Sequence, residues 1–189
     1  MTKNIIASLV AGVLLMAWQT LSFTALQLHA SQEQYTPAQD TLLQTLSAHL
    51  KEKGQYYLPN LPQGSSQEAY EKAMEQAMGK PAARILYYPQ LKFSMGVNIG
   101  RNLATNILLG FVLVWLLLKL KSHTMGSIIT ACLGVGFMAF CFYPYPVFIW
   151  YQTPGIMIEL LDALVAFGLA GLWLGWYLPR GTQKASRVG

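Results

Sequence analysis

The chain has 189 residues, 53% of them hydrophobic and 11% charged, with a formal net charge of +5. So little charge excludes an ordinary soluble domain, in which about a quarter of the residues are charged. The basic surplus forms no nucleic-acid face. Lys119 and Lys121 close one apolar run, and Arg180, Lys184 and Arg187 follow the last, which is the placement of topology signals.

Four apolar runs, Ile5–Phe23, Val97–Leu118, Met125–Tyr143 and Ile156–Leu178, are each long enough to cross a bilayer as a helix. The first, preceded by Lys3, also resembles the n- and h-regions of a signal peptide. No small-x-small cleavage site follows it, however: Phe23 and Leu28 occupy the positions that must be small before Ala25 and Ala30. Gln19, Thr20 and Ser22 further dilute its end, so a retained helix is expected. The connection 119–124 carries two lysines and Pro144–Gly155 carries no charge, which puts the former, with both termini, on the cytoplasmic side. The expected divisions are transmembrane helix 1 in 1–23, an extracytoplasmic cap in 24–96, helices 2–4 in 97–178 and a cytoplasmic basic tail in 179–189. Trp18, Tyr143, Tyr145, Trp150 and Tyr151 then fall at the outer interface, and Trp176 and Tyr177 at the inner one.

The cap is too long and too patterned to be structureless. Thr36-Pro-Ala-Gln39 reads as a helix start, with Leu42, Leu43, Leu46 and Leu50 along one face and Gly54 as the stop. Ser65-Ser-Gln-Glu68 opens a second helix, with Ala69, Tyr70, Ala73, Met74 and Ala77 as its stripe and Gly79 as its end. Gln55–Pro59 and Arg84–Pro89 are β-prone. Their tyrosines, Tyr56, Tyr57, Tyr87 and Tyr88, read first as packing residues and second as the lining of a groove. Two helices and two strands make a small α+β insertion, below the size that usually folds firmly alone.

Within the second run, Asn98, Asn102 and Asn106 recur at i, i+4, i+8 with Arg101 and Thr105 beside them, so one face is polar and other helices are expected to cover it. Glu159 and Asp162 are the acidic residues of the apolar runs and share a face of the fourth. At 1.5 Å per residue, Arg101 and the two acids lie at matching depths of roughly 6–10 Å inside the outer boundary. Gln19 reaches the same layer. Arg101, Asp162, Glu159, Asn102, Asn106 and Gln19 therefore form the candidate group, either as an Arg101–Asp162 ion pair that holds the bundle in register or as an outward-facing polar pocket. Gly171-Leu-Trp-Leu-Gly175 is a GxxxG motif, read as packing within the chain in preference to a dimer contact. His29, His49 and His123 are scattered over both sides and make no metal set with one another. Cys132 and Cys141, nine apart in one run, cannot meet in a helix. No phosphate loop, zinc signature or nucleophile elbow is present, so no metal, cofactor or catalytic residue is assigned.

Gly54-Gln-Tyr-Tyr-Leu-Pro59 and the aromatic stretch Tyr143-Pro-Tyr-Pro-Val-Phe-Ile-Trp-Tyr-Gln-Thr-Pro154 lie either side of the middle spans. Together with Glu159, Asp162 and Gly168-Leu-Ala-Gly171 they resemble a family of small, uncharacterised four-span bacterial inner-membrane proteins. That family has a Gly-x-Tyr-x-Leu-Pro outer-loop motif and an aromatic turn before the last span. The resemblance implies the topology and carries no activity.

The expectation is a membrane all-α fold: a four-transmembrane-helix bundle with a small extracytoplasmic α+β insertion between helices 1 and 2, multi-pass in a bacterial inner membrane. The leading function is a non-enzymatic accessory or scaffold protein that docks an envelope partner through the cap, with the lipid bilayer as its other partner and no nucleic acid. A carrier or sensor using the polar pocket comes second. A membrane enzyme comes third, for want of a nucleophile or metal set.

Overall fold

A computed structural model describes residues 1–179. In chain order its elements are helix α1 (Thr2–Thr20), helix α2 (Gln39–His49), strand β1 (Gly54–Leu58), helix α3 (Gln67–Ala77) and strand β2 (Ala83–Tyr87). Helices α4 (Met95–Leu117), α5 (Met125–Phe142), α6 (Pro144–Tyr151) and α7 (Ile156–Tyr177) follow. Among the described residues four stretches are long and apolar enough to cross a membrane: Thr2–Ala25, Met95–Leu117, Met125–Tyr151 and Ile156–Tyr177. The described residues divide into a helical unit, 1–34 with 94–179, and a smaller unit, Tyr35–Phe93.

In the helical unit α1 packs on both α4 and α7, α7 packs on α5, and α4 scarcely touches α5. The order of helices is therefore α4–α1–α7–α5, with an open seam between the outermost two. Small residues explain why α1 holds the middle. Ala7, Ser8, Ala11 and Gly12 are fully or almost fully buried, and they let the neighbouring backbones approach. A Cβ on Gly12 would lie 2.7 Å from the Asn106 carbonyl oxygen, and one on Gly110 would fall onto the Ser8 carbonyl oxygen. Gly136 and Gly171 make the corresponding close approach between α5 and α7, so the Gly171–Gly175 motif serves contact within the chain. Around these seams Leu15, Leu113, Val114, Leu117, Ile128, Cys132 and Leu174 form the core. At one end of the bundle Lys3 Nζ donates to the Leu178 carbonyl oxygen at 2.6 Å, and Trp173 Nε1 donates to the Ala7 carbonyl oxygen at 3.2 Å. A cation at the C-terminus of α7 satisfies a carbonyl the helix cannot.

The expected covering of the polar face of α4 does not occur. Asn106 is buried, whereas Asn98, Arg101, Asn102 and Thr105 are exposed, because α4 meets the bundle through its second half and chiefly through α1. The aromatic stretch after α5 is also mostly helix. Pro144 starts α6, and the reversal is confined to Gln152, with φ +49°, through Gly155, with φ +81°.

In the smaller unit β1 and β2 pair antiparallel, Tyr56 opposite Ile85, as two β-prone segments of that spacing predict. α3 begins where Ser66 accepts a hydrogen bond from the Ala69 N–H at 3.2 Å, one residue later than the Ser65 start of the capping box. α2 stops at His49, and Gly54 opens β1 instead of ending the helix. Neither helix buries a residue fully, and Leu42 and Leu43 of α2 remain exposed. Arg180, Lys184 and Arg187 of the basic tail lie outside the described residues.

Candidate functional site

At the end of the helical unit remote from Lys3, α1 runs on as one turn of π-helix, Leu21–Ala25, closed by the Leu26 N–H donating to the Leu21 carbonyl oxygen at 2.9 Å. Gln27 then adopts a left-handed conformation, φ +48°, and reverses the chain into a 3-10 turn, Leu28–Gln32. The reversal folds His29 and Gln32 back onto the first two turns of α7, where Glu159 and Asp162 stand. Gly155 makes room for it. A Cβ there would collide with the Gln32 side chain, and its positive φ suits glycine as well.

Asp162 is the centre of the site. Its Oδ1 accepts from Trp18 Nε1 at 3.0 Å and from Ser22 Oγ at 2.8 Å, and its Oδ2 accepts from His29 Nε2 at 2.8 Å. Trp18 and Ser22 are four residues apart, so both project from one face of α1. His29 is buried, with Phe23 stacked on its ring at 3.8 Å between centroids. Its Nδ1 faces Gln32 Oε1 at 3.1 Å and Glu159 Oε1 at 3.8 Å. Gln32 Nε2 in turn donates to Glu159 Oε1 at 3.4 Å, which turns the amide oxygen toward His29. Both imidazole nitrogens thus face acceptors, the arrangement that suits an imidazolium. Burial opposes the charged form of His29, but hydrogen bonds to Asp162 and Gln32 and the charges of Asp162 and Glu159 outweigh it. The pKa is raised above the ordinary 6.5.

The Arg101–Asp162 pair expected from matching depth is not formed. Arg101 is exposed and lies off the cavity wall that its neighbour Asn102 shares with Asp162, so it reaches the right depth on another face of α4. Among the described residues the acid partners of His29 are Asp162 and Glu159, and Arg101 pairs with neither. The six candidate residues separate into two groups. Asp162 and Glu159 join the histidine cluster, while Gln19, Asn102 and Asn106 form a second set: Asn106 Nδ2 donates to Gln19 Oε1 at 3.0 Å and to Asn102 Oδ1 at 2.9 Å. The Asn106 Oδ1 is buried with no hydrogen-bond partner among the described residues. Trp18, Ser22, His29 and Gln32 were not in the expected group. The signal for them was Trp18 and Ser22 on one helix face, and two intramembrane acids with one available arginine.

A cavity of about 560 Å³ joins the two groups, with Gln19, Asn102, Glu159 and Asp162 among otherwise mainly apolar walls from α1, α4, α5 and α7. That volume is in the range of small-molecule sites. Ser22, His29 and Asp162 do not make a nucleophile triad, since Ser22 donates to the carboxylate and no base faces its hydroxyl. Among the described residues no three His, Cys, Asp or Glu side chains converge as a metal site. The chain matches no family model, no curated protein and no solved structure.

Proposed function

We propose that this chain is a non-enzymatic binding protein of a bacterial inner membrane, a carrier or sensor that holds an amphiphile in the cleft between α4 and α5/α7. The observation that carries this reading is an apolar-walled cavity with carboxylates at one end and a helix seam left open beside it. The histidine cluster fixes the geometry of the carboxylates, and the cleft does the binding. Lys3, Lys119 and Lys121 belong to the opposite end of the bundle, which supports a cytoplasmic side there and an outer side for the cleft and for residues 35–93. A reporter active only outside the cytoplasm should be active when fused after Gln63 and silent after His123. Binding is tested by native mass spectrometry of protein purified in mild detergent. One retained amphiphile is expected, and Ala139→Phe, which fills the cleft from α5, should remove it. An empty protein under the mildest conditions would count against the reading.

Docking of an envelope partner through residues 35–93 is the second reading. It is favoured by the exposed apolar side chains of α2 and α3, among them Leu42, Leu43, Tyr70 and Met74. A partner that co-purifies with the full chain, and is lost with Leu42→Asp and Leu43→Asp together, would put this reading first.

A further inference from the structure

Resting on the binding reading, we infer that the occupant of the cleft is an amphiphile with a protonated amine head group, held at Glu159 with its hydrocarbon chain along Ala163, Ala166 and Phe167. Charge is the first argument. The His29 imidazolium offsets one of two carboxylates, and Asp162 already spends both oxygens on Trp18, Ser22 and His29. Glu159 gives one oxygen to Gln32, and its other oxygen has no partner among the described residues. The only arginine of the spans, Arg101, is absent from the cavity wall. The cluster therefore carries one negative charge beyond what the described residues neutralise, at the margin of an apolar medium where a counter-cation is worth most.

Shape is the second argument. From Glu159 to Phe167 is eight residues of α7, roughly 12 Å of helix, so the cleft runs from the rim toward the middle of a bilayer. Its walls there are Met16, Ala163, Ala166, Phe140 and Phe167. A soluble cation gains nothing from such walls, and an uncharged lipid leaves the free Glu159 oxygen unmatched. A molecule with both a hydrocarbon chain and an ammonium head answers each feature. The open seam between α4 and α5 gives it a lateral way in from the outer leaflet.

The test uses the full chain in nanodiscs of phosphatidylcholine, which has no primary amine. Dibrominated octadecylamine is titrated in, with dibrominated octadecanol and dibrominated stearic acid as controls, and quenching of tryptophan fluorescence is followed. Trp115, Trp150 and Trp176, exposed on the bundle, are replaced by Phe throughout, so that Trp18, hydrogen-bonded to Asp162 of the cavity wall, reports with only Trp173 at the far end beside it. The amine should quench saturably with an affinity about tenfold above that of the alcohol. Glu159→Gln should bring the amine down to the alcohol, Glu159→Asp should retain the preference, and Ala139→Phe should weaken both. Equal affinity of amine and alcohol, or a preference that survives Glu159→Gln, overturns the inference and leaves the binding reading standing. Absence of saturable quenching by any chain, with no effect of Ala139→Phe, removes both. Thermal unfolding of each variant establishes that the fold is intact.

Discussion

The two units of this chain hold their structure by different means. In the helical unit small residues bring backbones into contact, and a buried polar cluster ties the chain reversal after α1 to α7. In residues 35–93 one antiparallel ladder is the only regular pairing, Tyr87 is the one buried apolar residue, and the apolar stripes of both helices stay largely uncovered. Apolar periodicity alone therefore does not make a core. α2 has the expected leucine spacing, yet Leu42 and Leu43 remain exposed, whereas α1, whose buried face is Ala7, Ser8, Ala11 and Gly12 with Leu15, is the most deeply embedded helix. Close approach, with its many van der Waals contacts, stabilises helices where the surroundings are already apolar.

The sharpest way to break this contrast is at the α1–α4 seam. Gly110→Leu places its Cβ on the Ser8 carbonyl oxygen, and backbone cannot yield as a side chain can. The cost should exceed the usual ~1–3 kcal/mol of overpacking, and little monodisperse protein should be recovered on size exclusion. Next comes the polar cluster. Asp162→Leu strands the imidazolium together with the Trp18 and Ser22 donors, a loss of about 3–5 kcal/mol read as a large drop in unfolding temperature in detergent. His29→Leu should cost less, since Asp162 keeps two donors. If the two variants are equally mild, the cluster does not hold the reversal in place.

A smaller effect is expected from pH. The folded-state pKa of His29 is raised, so its stabilising contribution is complete below the unfolded value of 6.5 and is lost as pH rises through the folded value. Unfolding temperature should therefore fall from slightly acidic toward alkaline pH, and His29→Gln should flatten that part of the profile. The groups facing the imidazole are Asp162, Glu159 and Gln32, with Phe23 on the ring face. A profile identical in the variant would assign the dependence elsewhere. The smallest effects belong to the exposed positions. Arg101→Leu, which breaks no pair with Asp162, and Leu42→Asp, on an uncovered face, should each leave the unfolding temperature of the helical unit unchanged. A marked drop for Arg101→Leu would show that Arg101 has a partner outside the chain.

What the sequence determined by itself was whatever depends on neighbours along the chain. Run length and low charge gave four membrane-capable helices. Capping residues and β-prone segments gave two helices and two strands in the smaller unit, with an error of one residue at Ser66 and of five at Gly54, where a stop signal proved to be a strand start. That Glu159 and Asp162 need polar partners was legible too, because two acids in an apolar helix demand compensation wherever they lie. Their partner was not legible. Depth along a helix follows from counting residues, but which helix faces which depends on packing, and the packing is decided by where small residues let backbones meet. That placed α1 between α4 and α7, turned Asn102 and not Arg101 toward the cleft that Asp162 lines, and left a seam beside the carboxylates. The cation came instead from His29, through a left-handed turn at Gln27 and space at Gly155 that no local pattern announces. A reversal of that kind exists only because Asp162 and Glu159, some 130 residues further on, are there to receive it.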